Sequence, residues 1–219
     1  MRINGIEGLI TNVDIYGLEE SLIRSGYPMA TKPLTEDEFD DLSEDLFYEI
    51  FHASKCETEE QLQKHIKRGK KLGNALRGSG HDCMLKGIVV QFDLDFTIKA
   101  WTEAERYHWL DFISSMSTMH KLKAMDLDTT YIDYVDDRLI EIMKELQQAF
   151  NEDPTKENEL KMLYSNPVGM KLTAGMTTNY LQLKTIYGQR KIHRLPEWRV
   201  FCEWCETLPM FKELCLHGK

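Results

Sequence analysis

The hydrophobic positions change period along the chain, and each change predicts an element. Residues 8–14 read as a short strand, and Gly17 followed by Leu18, Leu22 and Ile23 begins a helical spacing. Tyr27-Pro28 and Lys32-Pro33 bracket a loop, because each proline disfavours helix in the residue before it. Thr35 then stands as a helix N-cap. Glu38 sits at the capping-box offset, acidic residues crowd the first turn, and Phe39, Leu42, Leu46 and Ile50 share one face. A second helix is predicted from about Glu59 to Leu76, basic in its later half. From Val90 to Phe96 apolar and polar residues alternate strictly, as in a half-buried strand with one wet face.

The spacing turns helical again from about Ala100 to His120. A long amphipathic helix follows through Ile132, Val135, Leu139, Met143, Leu146 and Phe150, and residues 151–156 end it. Thr177 to Lys191 has helical character, and Pro196 suits the first turn of a helix carrying Trp198, Phe201, Cys202 and Leu208. Many helices, few strands and no internal repeat or flexible linker predict an α+β fold in one domain, residues 1–219.

Composition narrows the function classes. With 42% hydrophobic and 29% charged residues the chain is an ordinary globular protein. A formal net charge of -9 sets its global field against nucleic acid and anionic membranes, so small-molecule partners are favoured. There is no apolar run of bilayer length and no signal-peptide layout at Met1–Gly5, so the expected compartment is the cytoplasm. Five cysteines, Cys56, Cys83, Cys202, Cys205 and Cys215, have no disulfide-scaffold rhythm and are expected as free thiols. Cys202-x-x-Cys205 with Cys215 and His217 lacks a second ligand pair of standard zinc spacing; it reads as packing, and no metal is expected.

Three polar stretches carry candidate chemistry. Gly78-Ser79-Gly80-His81-Asp82-Cys83 precedes the alternating strand, where glycines free the backbone and His81 offers both a donor and an acceptor. The second runs from Arg106 through Tyr107, His108, Trp109, Asp111, Ser114, Ser115, Ser117 and Thr118 to His120. On a helix, His108, Asp111 and Ser115 would share a face, but the Gly-x-Ser-x-Gly elbow of a serine hydrolase is absent. The third holds Asn179, Lys184, Gln189, Arg190, Lys191, His193 and Arg194, a positive segment in an acidic chain, with arginines suited to planar contacts with carboxylate, phosphate or a base edge.

Taken in this order, the three stretches resemble the flavin-dependent thymidylate synthase family over most of the chain. Val13-Asp14-Ile15-Tyr16-Gly17 with Ser21-Leu22-Ile23-Arg24 is similar to the family's opening strand and helix, and Gly80-His81 with Ile88-Val89-Val90-Gln91-Phe92 to its Gly-His turn and following strand. His108 stands where the family has the central histidine of an Arg-His-Arg signature, and Ser117, nine residues on, matches its nucleotide serine. Pro167, Asn179, Arg190 and Trp198 follow at similar intervals. The departures are Tyr107-His108-Trp109 for Arg-His-Arg, Ser115 for a glutamate, and Met119 and Leu163 for arginines; Thr185 replaces a second flavin asparagine.

The resemblance implies a central antiparallel sheet of few strands flanked by long helices, in a homotetramer that binds FAD and dUMP at subunit interfaces. The implied reaction is methyl transfer from methylenetetrahydrofolate to C5 of dUMP or a related pyrimidine nucleotide, with FAD-mediated reduction. His81, Cys83, His108, Asn179 and Ser115 would bind the flavin, and Arg190, Ser117 and Tyr107 the nucleotide. Arg190 and Ser117 would be catalytic, the guanidinium stabilising an anionic uracil ring. A non-catalytic nucleotide-binding or regulatory protein on the same fold is the alternative, since aromatic rings at 107 and 109 stack but do not neutralise a pyrophosphate.

Overall fold

The computed structural model describes residues 1–3, 5–6, 8–52, 60–76 and 78–216. Five strands, β1 (Arg2–Ile3), β2 (Ile10–Tyr16), β3 (Val89–Thr97), β4 (Asp111–Ser115) and β5 (Lys171–Asn179), form one antiparallel sheet in the order β1-β2-β3-β5-β4. Around it lie α1 (Leu18–Arg24), α2 (Glu36–Phe51), α3 (Glu60–Gly73), α4 (Ile98–Ala104), α5 (Thr118–Lys121), α6 (Asp137–Glu152), α7 (Lys156–Ser165), α8 (Tyr180–Arg190), α9 (Pro196–Cys205) and α10 (Phe211–Cys215). The central antiparallel sheet flanked by helices is the predicted architecture.

The alternation in β3 works as its pattern dictates. Val90, Phe92, Leu94 and Phe96 are buried, while Gln91, Asp93 and Asp95 face the other way. On the buried side Phe92 meets Trp204 with ring centroids 4.8 Å apart, and Phe96 meets Trp198 edge-on at 4.8 Å. Aromatic pairs in such geometries contribute about 0.5–1.5 kcal/mol beyond area burial. On the polar side Asn12 donates to Asp93 and Thr173 to Asp95. Asn12 occupies the left-handed region at φ 51° where the β2–β3 register shifts, a bulge position that asparagine tolerates.

A second cluster, Leu122, Leu127, Tyr131, Met143, Met162 and Met170, fills the space under α6 and α7. Leu172 in β5 packs against both clusters and couples this hairpin to the main core. The Tyr131 hydroxyl donates to Asn166 Oδ1 (2.8 Å), and burial pushes its pKa up to about 12.

Capping explains several boundaries. Thr35 and Glu38 close both bonds of the capping box, with Glu38 N–H on Thr35 Oγ1 (3.3 Å) and Thr35 N–H on Glu38 Oε2 (2.9 Å). Thr97 accepts from Ala100 N–H to start α4 and donates to the buried Glu197, joining β3 to α9.

The structure corrects five sequence readings. Residues 100–120 are not one helix: α4 stops at Ala104, a loop follows, and Asp111–Ser115 is the edge strand β4. Thr177, Thr178 and Asn179 belong to β5, and the helix begins only at Tyr180. The first long strand runs from Ile10 to Tyr16, and α9 ends at Cys205, before Leu208. The second helix spans Glu60–Gly73, with the expected start at Glu59 outside the described residues. Cys202, Cys205 and Cys215 are buried free thiols and Cys83 is exposed; Cys56 and His217 lie outside the described residues. Burial pushes the Cys202 thiol up to about 12. Among the described residues no three His, Cys, Asp or Glu side chains are grouped to hold a metal ion, and no helix is long and apolar enough to cross a membrane.

Candidate functional site

Asn179 is the hinge between β5 and α8. It pairs with Val89 at the first residue of β3, and its Oδ1 accepts from Gln182 N–H (2.9 Å) to cap α8. The next backbone N–H, of Tyr180, donates to Ile88 O (3.0 Å), so the segment leading into β3 is stitched to the start of α8. That segment is a 3₁₀ turn, His81–Gly87, entered through Gly80 at φ 78°, a left-handed conformation that glycine adopts without steric cost. Asp82 is fully buried and pairs with Lys184 of α8 (3.3 Å), which also donates to Gly73 O and Ala75 O. This clamp leaves His81 and Cys83 exposed, on a cleft of about 430 Å³ shared with Ser21, Arg24, Ser25 and Met84.

The 107–109 segment reaches the same end of the sheet. Thr178 Oγ1 donates to Trp109 O (2.6 Å), which holds the loop beside Asn179. His108 and Trp109 are exposed, whereas Tyr107 turns inward and its hydroxyl donates to Gln189 Oε1 (3.0 Å). The turn that begins with His81 and Cys83 thus leads into the start of β3, where β5 ends in Asn179 and the His108 loop is tied to Thr178.

Ser115 and Ser117 lie further along. Ser115 pairs with Ala174, four residues from Thr178, a separation of roughly 13 Å along a strand. Ser115 is exposed, and Ser117 is half-buried at the start of α5 with no capping bond from its side chain. Because β4 is a strand, His108, Asp111 and Ser115 do not share a helix face, and the hydrolase-like arrangement falls away.

Arg190 is turned into the protein. Only 7% exposed, it donates from Nε to Tyr107 Oη (2.7 Å) and from Nη1 to Glu103 Oε2 (2.8 Å) and His193 Nε2 (2.7 Å), and it lies 4.9 Å from the Trp198 ring centroid. Glu103 also pairs with Lys99 (3.2 Å). Burial alone would raise the Glu103 carboxyl, but the Lys99 bond and the charges of His193 and Arg190 outweigh it and hold it below the usual carboxylate value. Burial, then Arg190, lowers the His193 pKa. The expectation of a guanidinium facing an anionic guest thus meets a guanidinium already matched to a carboxylate inside the chain. Sequence reasoning missed Glu103, whose one signal is its i,i+4 spacing from Lys99, and Arg24 as a neighbour of His81.

No protein-family description matches this sequence, and no curated protein does either. Solved structures do. A crystal structure of flavin-dependent thymidylate synthase from Helicobacter pylori, complexed with FAD and dUMP, aligns over 94% of this chain and 97% of its own at TM-score 0.64 and 15% identity. A second crystal structure of that enzyme, with the same two ligands, aligns over 94% and 98% at TM-score 0.65 and 14% identity. The chain has the fold of flavin-dependent thymidylate synthase. In its version of that fold, the segment similar to the Arg-His-Arg signature places an exposed imidazole between a buried tyrosine and an exposed tryptophan.

Proposed function

We propose that the protein is a flavin-dependent enzyme of pyrimidine nucleotide metabolism that transfers a methyl group from methylenetetrahydrofolate to C5 of dUMP or a related nucleotide. The observation that carries this reading is the meeting of the Gly80-His81 turn, the His108 loop and the Asn179 cap at one end of the sheet, in a fold shared with an enzyme solved with FAD and dUMP.

The residues of these segments suit a flavin: two exposed imidazoles, the exposed Cys83 thiol, the exposed Trp109 indole for stacking, and the exposed Arg106, two residues before His108, for phosphate. Bound FAD, once reduced by an external two-electron donor, would supply the hydride that reduces the transferred one-carbon unit to methyl. His81, Cys83, His108, Asn179 and Ser115 would hold and orient it. Ser117, with its uncommitted hydroxyl among the described residues, would bind the nucleotide. Arg190 and Tyr107 would act by position, stiffening the segment that presents His108, because both are engaged with Glu103 and Gln189. Lys184, tied to Gly73, Ala75 and Asp82, is a structural cation.

A second copy would complete the site. Trp109, Phe112, Ile113, Met116 and Met119 are all exposed on or beside the edge strand β4, the kind of apolar patch a subunit interface covers. Assembly as a tetramer follows from the same resemblance.

The test is release of tritium from C5-labelled dUMP in the presence of FAD, a reductant and methylenetetrahydrofolate. Release is expected, reduced by Ser117→Ala by about 10²-fold, as for loss of one transition-state hydrogen bond donor. No release from any C5-labelled pyrimidine nucleotide overturns the proposal. The pairing of Arg190 with Glu103 favours a second reading, nucleotide binding without turnover; a melting-temperature rise with nucleotide and no tritium release would establish it.

A further inference from the structure

Three glycines inside helices serve different purposes. In α3, a Cβ on Gly69 would collide with the Leu22 side chain and one on Gly73 with the Leu214 backbone, so both glycines permit close packing within the chain. Gly188 in α8 has open space where a Cβ would stand. A glycine there weakens the helix relative to alanine and gains nothing from the chain's own packing.

Gly188 forms part of the wall of a cleft of about 720 Å³ between α8, α10 and the segment after α3, a size in the range of small-molecule sites. Its walls are largely apolar: the Tyr187 ring, Cys215, Leu216 and the exposed Leu76. Its charges are arranged asymmetrically. Lys191 Nζ lies 4.9 Å from the Tyr187 ring centroid, Lys212 pairs with Glu206 at 3.3 Å, and Glu206 accepts from the Tyr187 hydroxyl. Of the three lysines in the lining, Lys184 is matched by Asp82, and Lys191 and Lys212 against Glu206 leave a single positive charge in a chain whose net charge is -9. The cleft shares only Thr185 with the positions that resemble flavin contacts.

We infer that this cleft binds a small monoanion with a flat apolar body, the ring system sliding along the bare backbone at Gly188 and the anionic group meeting Lys191 and Lys212. A planar body needs close approach to a wall without a side chain, and an anion is the charge that two lysines around one carboxylate complement. The inference is independent of flavin binding.

The probe is 8-anilinonaphthalene-1-sulfonate, an aromatic monoanion, titrated by fluorescence into the intact protein, with neutral N-phenyl-1-naphthylamine as control. Saturable binding of the sulfonate is expected, at least about tenfold tighter than the neutral probe. Gly188→Leu should weaken it by tenfold or more while the melting temperature holds or rises and any flavin content stays the same. Lys191→Glu, an exposed change, should weaken it comparably if Gly188→Leu fails to fold. Absence of saturable binding, equal affinity for the neutral probe, or sulfonate binding unchanged in both variants overturns the inference.

Discussion

Arg190 joins α4, the 107–109 loop and the start of the α8–α9 connection through Glu103, Tyr107 and His193. Removing one member of a buried ion pair strands the other, and Glu103 is itself mostly covered, with its side chain 21% exposed. Arg190→Ala is therefore expected to lower unfolding stability by roughly 3 kcal/mol in urea titration, at the low end for a broken buried pair because Lys99 still serves Glu103. A change below about 0.5 kcal/mol would mean the network contributes nothing. The same cluster sets an acid dependence. The His193 pKa is lowered in the folded state, so the unfolded chain binds the proton more readily, and stability is full above the ordinary value of 6.5 and lost as pH falls through the folded value. The Glu103 pKa is also lowered, and its contribution is present above 4.5 and lost below that. Both signs agree, so stability should fall on acidification from neutrality, and His193→Gln should flatten the upper part of that fall in a pH series of denaturation curves. The positive segment around Arg190 was visible in the sequence, but its partner was not, because Glu103 is 87 residues away.

At the scale of elements, legibility followed periodicity. The α2 helix was readable from Thr35, Glu38 and its apolar face because local chemistry alone defines it. Thr35→Ala should cost about 1 kcal/mol by urea denaturation, the usual worth of an N-cap, and no loss would deny the capping box a role. The β3 strand was readable because one face is wet and the other dry. Strand β4 was not: all five of its residues are exposed, so no alternation marks it, and Trp101, Ala104, Tyr107 and Leu110 fall at helical intervals although a loop interrupts them. In β5 the dry face is made of Ala174, Met176 and Thr178, too small and polar for a strand signal, and Asn179 ends the strand while capping the helix. The missed strands matter to the site, since they carry Ser115 and Asn179.

For the whole molecule, the accessible surface is 13332 Å², against about 10,000 Å² for a compact monomer of this length. The apolar side chains exposed along β4 are where the proposed subunit interface would lie. Sedimentation should find an oligomer, and Ile113→Asp, on a residue 59% exposed, should dissociate it without unfolding the subunit. A wild-type monomer at micromolar concentration would contradict this. The sheet order was beyond reach of local patterns, because it arises from pairings between distant segments; the resemblance anticipated only a central antiparallel sheet. The functional proposal depends on a flavin held at the Asn179 end of the sheet beside a pyrimidine nucleotide. The most direct measurement is the visible absorbance spectrum of the purified protein before and after reconstitution with FAD. A flavin band that survives desalting and weakens in His81→Ala and His108→Ala is expected; a protein that stays colourless after reconstitution would rule the flavin site out.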